Sequence, residues 1–133
     1  MKATVLAVMV ALAVVAPQAA SAPSPVLASF RQTGGFVGVE RRVVVRRSGA
    51  VTAENVHVST LSRAQLTALR NALEAARWRT LKSGYAPKVH VSDGFLYAIT
   101  YAGRTIRIDQ GATLPRRLAR PFVLLQRIAG LSS

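Results

Sequence analysis

The arrangement of apolar and polar residues in the first part of the chain beyond residue 25 predicts consecutive strands. Residues 26–33 have the apolar content of a strand, and two adjacent glycines follow it. Residues 36–47 are rich in β-branched side chains, and Ser48 and Gly49 behind them form a hairpin signal. We therefore expect a return strand over residues 50–58, which makes this region a three-stranded meander.

A helix is predicted after the meander by a start signal and by its spacing. Ser62 has the side chain of an N-cap, and Gln65 follows three residues later, as in a capping box. Apolar residues then recur on one face at Leu66, Leu69, Leu73 and Ala76. We expect this helix to end between residues 78 and 81.

The second half of the chain is predicted to contribute a long loop and a hairpin. Glycine and proline are spread over residues 82–94, so we expect a loop there, with a short extended piece at residues 89–91. Residues 95–101 have the alternation typical of a strand, and Ala102-Gly103 turns the chain back. Residues 104–109 are then expected to form the partner strand.

A last helix is predicted near the C-terminal end of the chain. Thr113 is its candidate N-cap, and Gly130 is a natural stop. Pro121 should kink or split this helix, because proline lacks a backbone N–H and its ring clashes with the preceding turn. Together, these elements predict one α+β domain over residues 27–131, with an antiparallel sheet of four to five strands and two α-helices packed on one face.

The N-terminal residues have the order of a cleavable secretory signal. Lys2 precedes an apolar stretch from residue 3 to residue 16, and small residues follow up to Ala22. We expect residues 1–22 to be a signal peptide, cut after Ser21 or Ala22, and residues 23–26 to be a short linker. The apolar run of about 14 residues is short for a membrane span. The product is therefore expected in the cell envelope, the periplasm or the extracellular medium, without stable membrane insertion.

Composition adds a strong positive charge to this picture. Eighteen Lys and Arg face five Asp and Glu, a formal charge of +13, and removal of Lys2 with the signal leaves +12. Such a field favours anionic partners. The chain has no cysteine, so a disulfide framework is excluded and stability must come from a packed core. We expect a monomer.

No pattern of residues in the sequence indicates catalysis. His57 and His90 lie in different predicted elements, and neither has a second ligand at metal-binding spacing. The sequence G-x-S-x-G of serine hydrolases is absent, and the glycine-rich run at residues 34–38 lacks the lysine of a phosphate-binding loop. We expect no enzyme, no cofactor and no metal. Nucleic-acid binding is also not expected, because export argues against it and aromatic residues are not interleaved with the arginines.

Several short segments, in order, resemble the emfourin family over residues 27–131. They are the run Phe30-Arg31-Gln32-Thr33-Gly34-Gly35-Phe36-Val37-Gly38, the basic valine-rich strand behind it, the helix from Leu61-Ser62 to Trp78, the run Asp93-Gly94-Phe95-Leu96-Tyr97, and Leu114-Pro115 before the last helix. Emfourins are small bacterial proteins that inhibit thermolysin-like zinc proteases such as protealysin. The run from Arg31 to Gly38 is the segment most similar to the family.

The resemblance implies a proteinaceous inhibitor of a secreted metalloprotease, which fills the protease cleft with rigid loops. The loops expected to do this are the turn formed by Gly34, Gly35, Phe36 and Val37, and the loop over residues 82–88 with Tyr85. Phe36 and Tyr85 would be the apolar anchors. The alternative is a basic cell-envelope or anion-binding module without inhibitory activity.

Overall fold

A computed structural model describes residues 24–131 of the chain. The predicted signal peptide and its cleavage point lie outside these residues. The strands are β1 (Val26–Gly34), β2 (Val39–Arg46), β3 (Ala50–Ala53), β4 (Val56–Thr60), β5 (Gly84–Tyr85), β6 (Phe95–Tyr101) and β7 (Arg104–Asp109). The helices are α1 (Arg63–Ala75) and α2 (Arg116–Ile128), with a short 3₁₀ turn at Trp78–Thr80.

The seven strands form one sheet in the order β4-β3-β2-β1-β6-β7-β5. The longest strand, β1, lies at its centre and pairs antiparallel with β2 on one side and β6 on the other. Both helices pack on one face of the sheet, and that face holds the core. Its largest fully buried side chains are Phe30, Val45, Val51, Ile99 and Ile106 from the strands, and Leu69, Leu73, Leu118, Pro121 and Leu125 from the helices. The α+β class and the helices on one face are as predicted.

The predicted count of four to five strands is wrong, partly because the expected return strand over residues 50–58 is two strands. Glu54 and Asn55 have φ angles of 50° and 64°, so both lie in the left-handed region. Two consecutive residues with positive φ form the type of turn that joins tightly paired strands. The chain therefore folds back after β3, and β4 becomes the edge strand.

The prediction of a purely antiparallel sheet is also wrong, because β5 runs parallel to β7. The extended piece expected at residues 89–91 does not form a strand, and residues 84–85 form one in its place. The Arg107 N–H donates to the Ser83 carbonyl at 2.9 Å, which holds the chain beside β7 just before β5. The sheet is thus mixed, with seven strands.

Helix α1 begins as the sequence predicts. The Ser62 hydroxyl accepts the Gln65 N–H at 3.1 Å, and the Gln65 side chain accepts the Ser62 N–H at 2.9 Å, which completes the capping box. Beyond the helix, the Trp78 indole donates to the Arg104 carbonyl at 2.9 Å, and the Arg104 guanidinium donates to the Trp78 carbonyl at 2.7 Å. This reciprocal pair fixes the chain after α1 to the start of β7.

Helix α2 differs from its predicted form at two points. Its N-cap is Pro115, not Thr113, and the cap makes no side-chain hydrogen bond. Pro121 does not split the helix: the proline lies inside one continuous helix and its ring is buried in the core, which offsets the lost hydrogen bond. The predicted stop is confirmed, since Gly130 has a φ of 71° behind the last turn.

Within residues 24–131, no helix has both the length and the apolar character that crossing a membrane requires.

Candidate functional site

Three connections meet at the end of the sheet where β1 finishes and β2 and β6 begin. Gly34 pairs with Val39 of β2 and with Phe95 of β6, and Leu96 pairs with Asp109 of β7. Three connecting segments therefore lie at the same end of the strands: the turn after β1 (residues 35–38), the loop before β6 (residues 86–94) and the segment after β7 (residues 110–115). We call this region the loop end.

The turn after β1 has a backbone that only glycine adopts without strain. Gly34 and Gly35 have φ angles of 96° and 77°. A Cβ atom on Gly34 would lie 2.7 Å from the Gly94 carbonyl oxygen, which is shorter than any real contact of this kind. The Gly35 N–H donates to the same oxygen at 3.4 Å, and the Gly38 N–H donates to the Gly35 carbonyl at 3.1 Å. The turn is therefore packed against the loop before β6.

The tip of this turn presents two adjacent apolar side chains to solvent. Phe36 is 92% exposed and Val37 is 85% exposed. A scattered exposed apolar residue is ordinary, but two together at the tip of a fixed turn, one of them aromatic, are typical of a surface that contacts a partner. Val89, in the loop before β6, is 79% exposed and adds a third apolar side chain at the loop end.

The loop before β6 is itself tied to the segment after β7. The Phe95 N–H donates to Gln110 Oε1 at 2.9 Å, and the Gln110 N–H donates to the Phe95 carbonyl at 2.9 Å. The Gly94 N–H donates to the Val91 carbonyl at 3.2 Å. A cavity of about 210 Å³ lies beneath this loop, with His90 among its lining residues. These contacts connect the three segments of the loop end through their backbones.

The structure brings four of the five expected site residues together. Gly34, Gly35, Phe36 and Val37 belong to one turn. Tyr85 lies elsewhere, in β5, three strands from β1 and thus roughly 14 Å across the sheet. Its ring is half-buried against the core, and its hydroxyl accepts the Lys82 N–H at 3.0 Å. In this position Tyr85 supports its own loop and does not project from it.

No protein-family model matches the chain, and no curated protein matches it either. The geometry of the loop end is therefore the main guide to function.

Two positions of the loop end were missed by reasoning from sequence. Gly94 matters because its carbonyl oxygen accepts the Gly35 N–H of the turn after β1, a contact between residues about 60 positions apart along the chain. Val89 was expected within an extended piece and lies instead on an exposed loop. The signal for Gly94 in the sequence was a glycine directly before the strand that begins at Phe95. No local pattern distinguishes Val89.

The exposed apolar residues of the loop end are suited to binding. Within the part of the chain that the structure describes, no group of three or more His, Cys, Asp or Glu side chains is placed to hold a metal ion. His57 lies in β4, at the far edge of the sheet from the loop that carries His90, and its ring is hydrogen-bonded to the Thr60 hydroxyl at 3.2 Å. An apolar tip on a fixed backbone is a feature of a recognition surface.

Proposed function

We propose that the chain is a proteinaceous inhibitor of a secreted thermolysin-like zinc metalloprotease, which it inhibits by inserting the turn after β1 into the protease cleft. The observation that carries this proposal is the pair of exposed side chains, Phe36 and Val37, on a turn whose backbone is fixed against Gly94. The resemblance of the run Arg31 to Gly38 to the emfourin family supports the choice of protease class.

A fixed turn is an effective means of occluding a cleft because little ordering remains to be done on binding. Association loses roughly 0.5–1.5 kcal/mol for each side chain that must be immobilised, and more for a loop that must be ordered. The hydrogen bonds from Gly35 to Gly94 and from Gly38 to Gly35 already order the turn. The favourable energy from burying Phe36 is then available for affinity.

The apolar character of the tip fits the expected partner. Thermolysin-like enzymes favour bulky apolar side chains next to the bond they cut, as the resemblance implies. Phe36 is the largest exposed apolar residue of the loop end, and Val37 lies directly beside it. In this account Phe36 enters the apolar subsite, Val37 packs at its rim, and Val89 extends the contact.

The test is the residual activity of a thermolysin-like protease titrated with the chain beginning at Pro23. We expect stoichiometric loss of activity that persists at moderate salt, because an apolar contact is not screened. Changing Phe36→Ala should weaken inhibition by roughly 30-fold or more, the effect of losing an anchor worth about 2 kcal/mol.

The matched control is Val58→Ala. Val58 is also exposed and apolar, but it lies in β4, three strands from β1 on the far side of the sheet. This variant should inhibit as well as the unchanged chain. Equal weakening by the two variants, or intact activity in several such proteases mixed with the folded chain, would refute the proposal.

A further inference from the structure

The face of the sheet opposite the helices carries a row of arginines that the proposed inhibition does not use. In the strand registers, Arg42 of β2 pairs with Arg31 of β1, Arg31 pairs with Ala98 of β6, and Ala98 pairs with Arg107 of β7. These four residues therefore form one line across four adjacent strands. Because paired residues lie on the same face, all three guanidinium groups belong to the face without helices.

This row lines a groove that has both polar and apolar side chains. The groove has a volume of about 750 Å³, and its lining includes all three arginines. Ala98 separates Arg31 from Arg107, and its small side chain leaves a depression between them. Adjacent strands lie about 4.8 Å apart, so the backbones of these two arginines are about 10 Å apart. The rest of the lining consists of four serine and threonine side chains, Ser29, Thr33, Thr100 and Thr105, together with His90, Leu96, Tyr97 and Asp109.

Three carboxylates lie close to the three arginines: Glu40 is paired with Arg31, Glu54 accepts the Arg42 N–H at 3.3 Å, and Asp109 lines the groove. Arg31 Nη2 lies 2.6 Å from Glu40 Oε1, the one salt bridge among the residues that the structure describes. More than half of each side chain in that pair is exposed, so the pair contributes little energy and leaves guanidinium donors accessible. Asp109 is the acidic residue of the groove lining.

Two like charges face each other within the row. Arg31 and Arg42 are directly opposite each other on adjacent strands, and like charges in this position destabilise a sheet. A bound anion removes this repulsion. The Glu40 carboxylate, paired with Arg31, already offsets part of it.

We propose that this groove binds an acidic polysaccharide, with the carboxylate or sulfate groups held by Arg31, Arg42 and Arg107 and the sugar hydroxyls held by the serine and threonine side chains. Guanidinium groups bind such anions through paired, charge-assisted hydrogen bonds. Serine and threonine hydroxyls both donate and accept hydrogen bonds, as sugar hydroxyls do. The ligand class agrees with the expected export of the chain to the cell surface or beyond.

Two features favour a polysaccharide over a peptide or a nucleic acid. The groove crosses central strands, whose backbone groups are already paired in the sheet, so an extended peptide has no free strand edge to join there. Tyr97 borders the groove, but its ring contacts Phe30 and Phe122 on the helix side. The Tyr97 ring is therefore not available in the groove as a platform on which bases could stack.

The test is calorimetric titration of the chain beginning at Pro23 with polygalacturonate fragments and with heparin fragments, and with neutral dextran as a blank. We expect binding to one or both acidic polymers, no binding to dextran, and a steep loss of affinity as salt rises. The double variant Arg31→Gln with Arg107→Gln should bind at least 10-fold more weakly, because it removes charge-assisted hydrogen bonds at both ends of the depression.

The control is the double variant Arg63→Gln with Arg120→Gln, which removes the same charge from exposed positions on α1 and α2. It should lower affinity by no more than roughly 3-fold, through the general field alone. Equal losses in the two double variants would overturn the proposal and assign binding to net charge. Binding of polyglutamate as tightly as the polysaccharides, with the same dependence on Arg31 and Arg107, would also overturn it by assigning the groove to acidic protein segments.

Discussion

Glycine at position 34 is required by two separate features of the loop end. Its φ of 96° is a conformation that other residues adopt only with strain, and the Gly94 carbonyl oxygen lies where a Cβ atom would be. Gly38, in the same turn, meets only the first requirement, since nothing lies within 4 Å of the position of its Cβ. Alanine substitutions at Gly34 and Gly38 therefore distinguish the energy of backbone strain from the energy of the steric contact with Gly94.

Changing Gly34→Ala should lower the free energy of unfolding by about 2–4 kcal/mol, because the left-handed strain and the contact with a backbone oxygen add together. Changing Gly38→Ala should lower it by about 1 kcal/mol, from strain alone. Urea unfolding of the two variants measures both values. Similar losses at the two positions would show that the turn is not packed against Gly94 as described.

At the scale of single elements, sequence patterns predicted the start of α1 with its cap, the strands β1, β6 and β7, and the stop of α2 at Gly130, but α1 ends at Ala75 and not between residues 78 and 81. These features depend on residues close together in the chain. The hairpin of β3 and β4 was missed because Glu54-Asn55 lacks the glycine that usually marks such a turn. The two residues of β5 were missed because only pairing with β7, more than 20 positions away, makes them a strand.

The two helices differ in how much their first turns depend on side-chain caps. Changing Ser62→Ala should lower the free energy of unfolding by about 1 kcal/mol, because the exposed Gln65 N–H loses its acceptor. Changing Thr113→Ala should lower it by less than about 0.5 kcal/mol, because α2 is capped at Pro115 without a side-chain bond. Thermal unfolding by circular dichroism measures both, and a larger loss at Thr113 would restore that residue as the cap.

At the scale of the whole molecule, three regions of the sheet have different roles in this account. One face is covered by the helices and supplies stability, the loop end presents Phe36 and Val37, and the other face carries the arginine row. The glycine-rich run identified the turn from sequence, since its residues are contiguous. The row could not be identified in this way, because Arg31, Arg42 and Arg107 become neighbours only through the registers of four strands. Tyr85 was placed among the anchors because it lies in a predicted loop, but its ring packs against the core.

The central claim is that the turn after β1 occupies the protease cleft. Its most direct test is competition between the chain and a small zinc-chelating active-site ligand for one thermolysin-like protease, followed by fluorescence anisotropy of the labelled chain. The account predicts that the chain and the ligand exclude each other from the protease. It also predicts that the ligand displaces the Phe36→Ala variant at a roughly 30-fold lower concentration than it displaces the Val58→Ala variant. Simultaneous binding of the chain and the ligand, or equal displacement of the two variants, would contradict it.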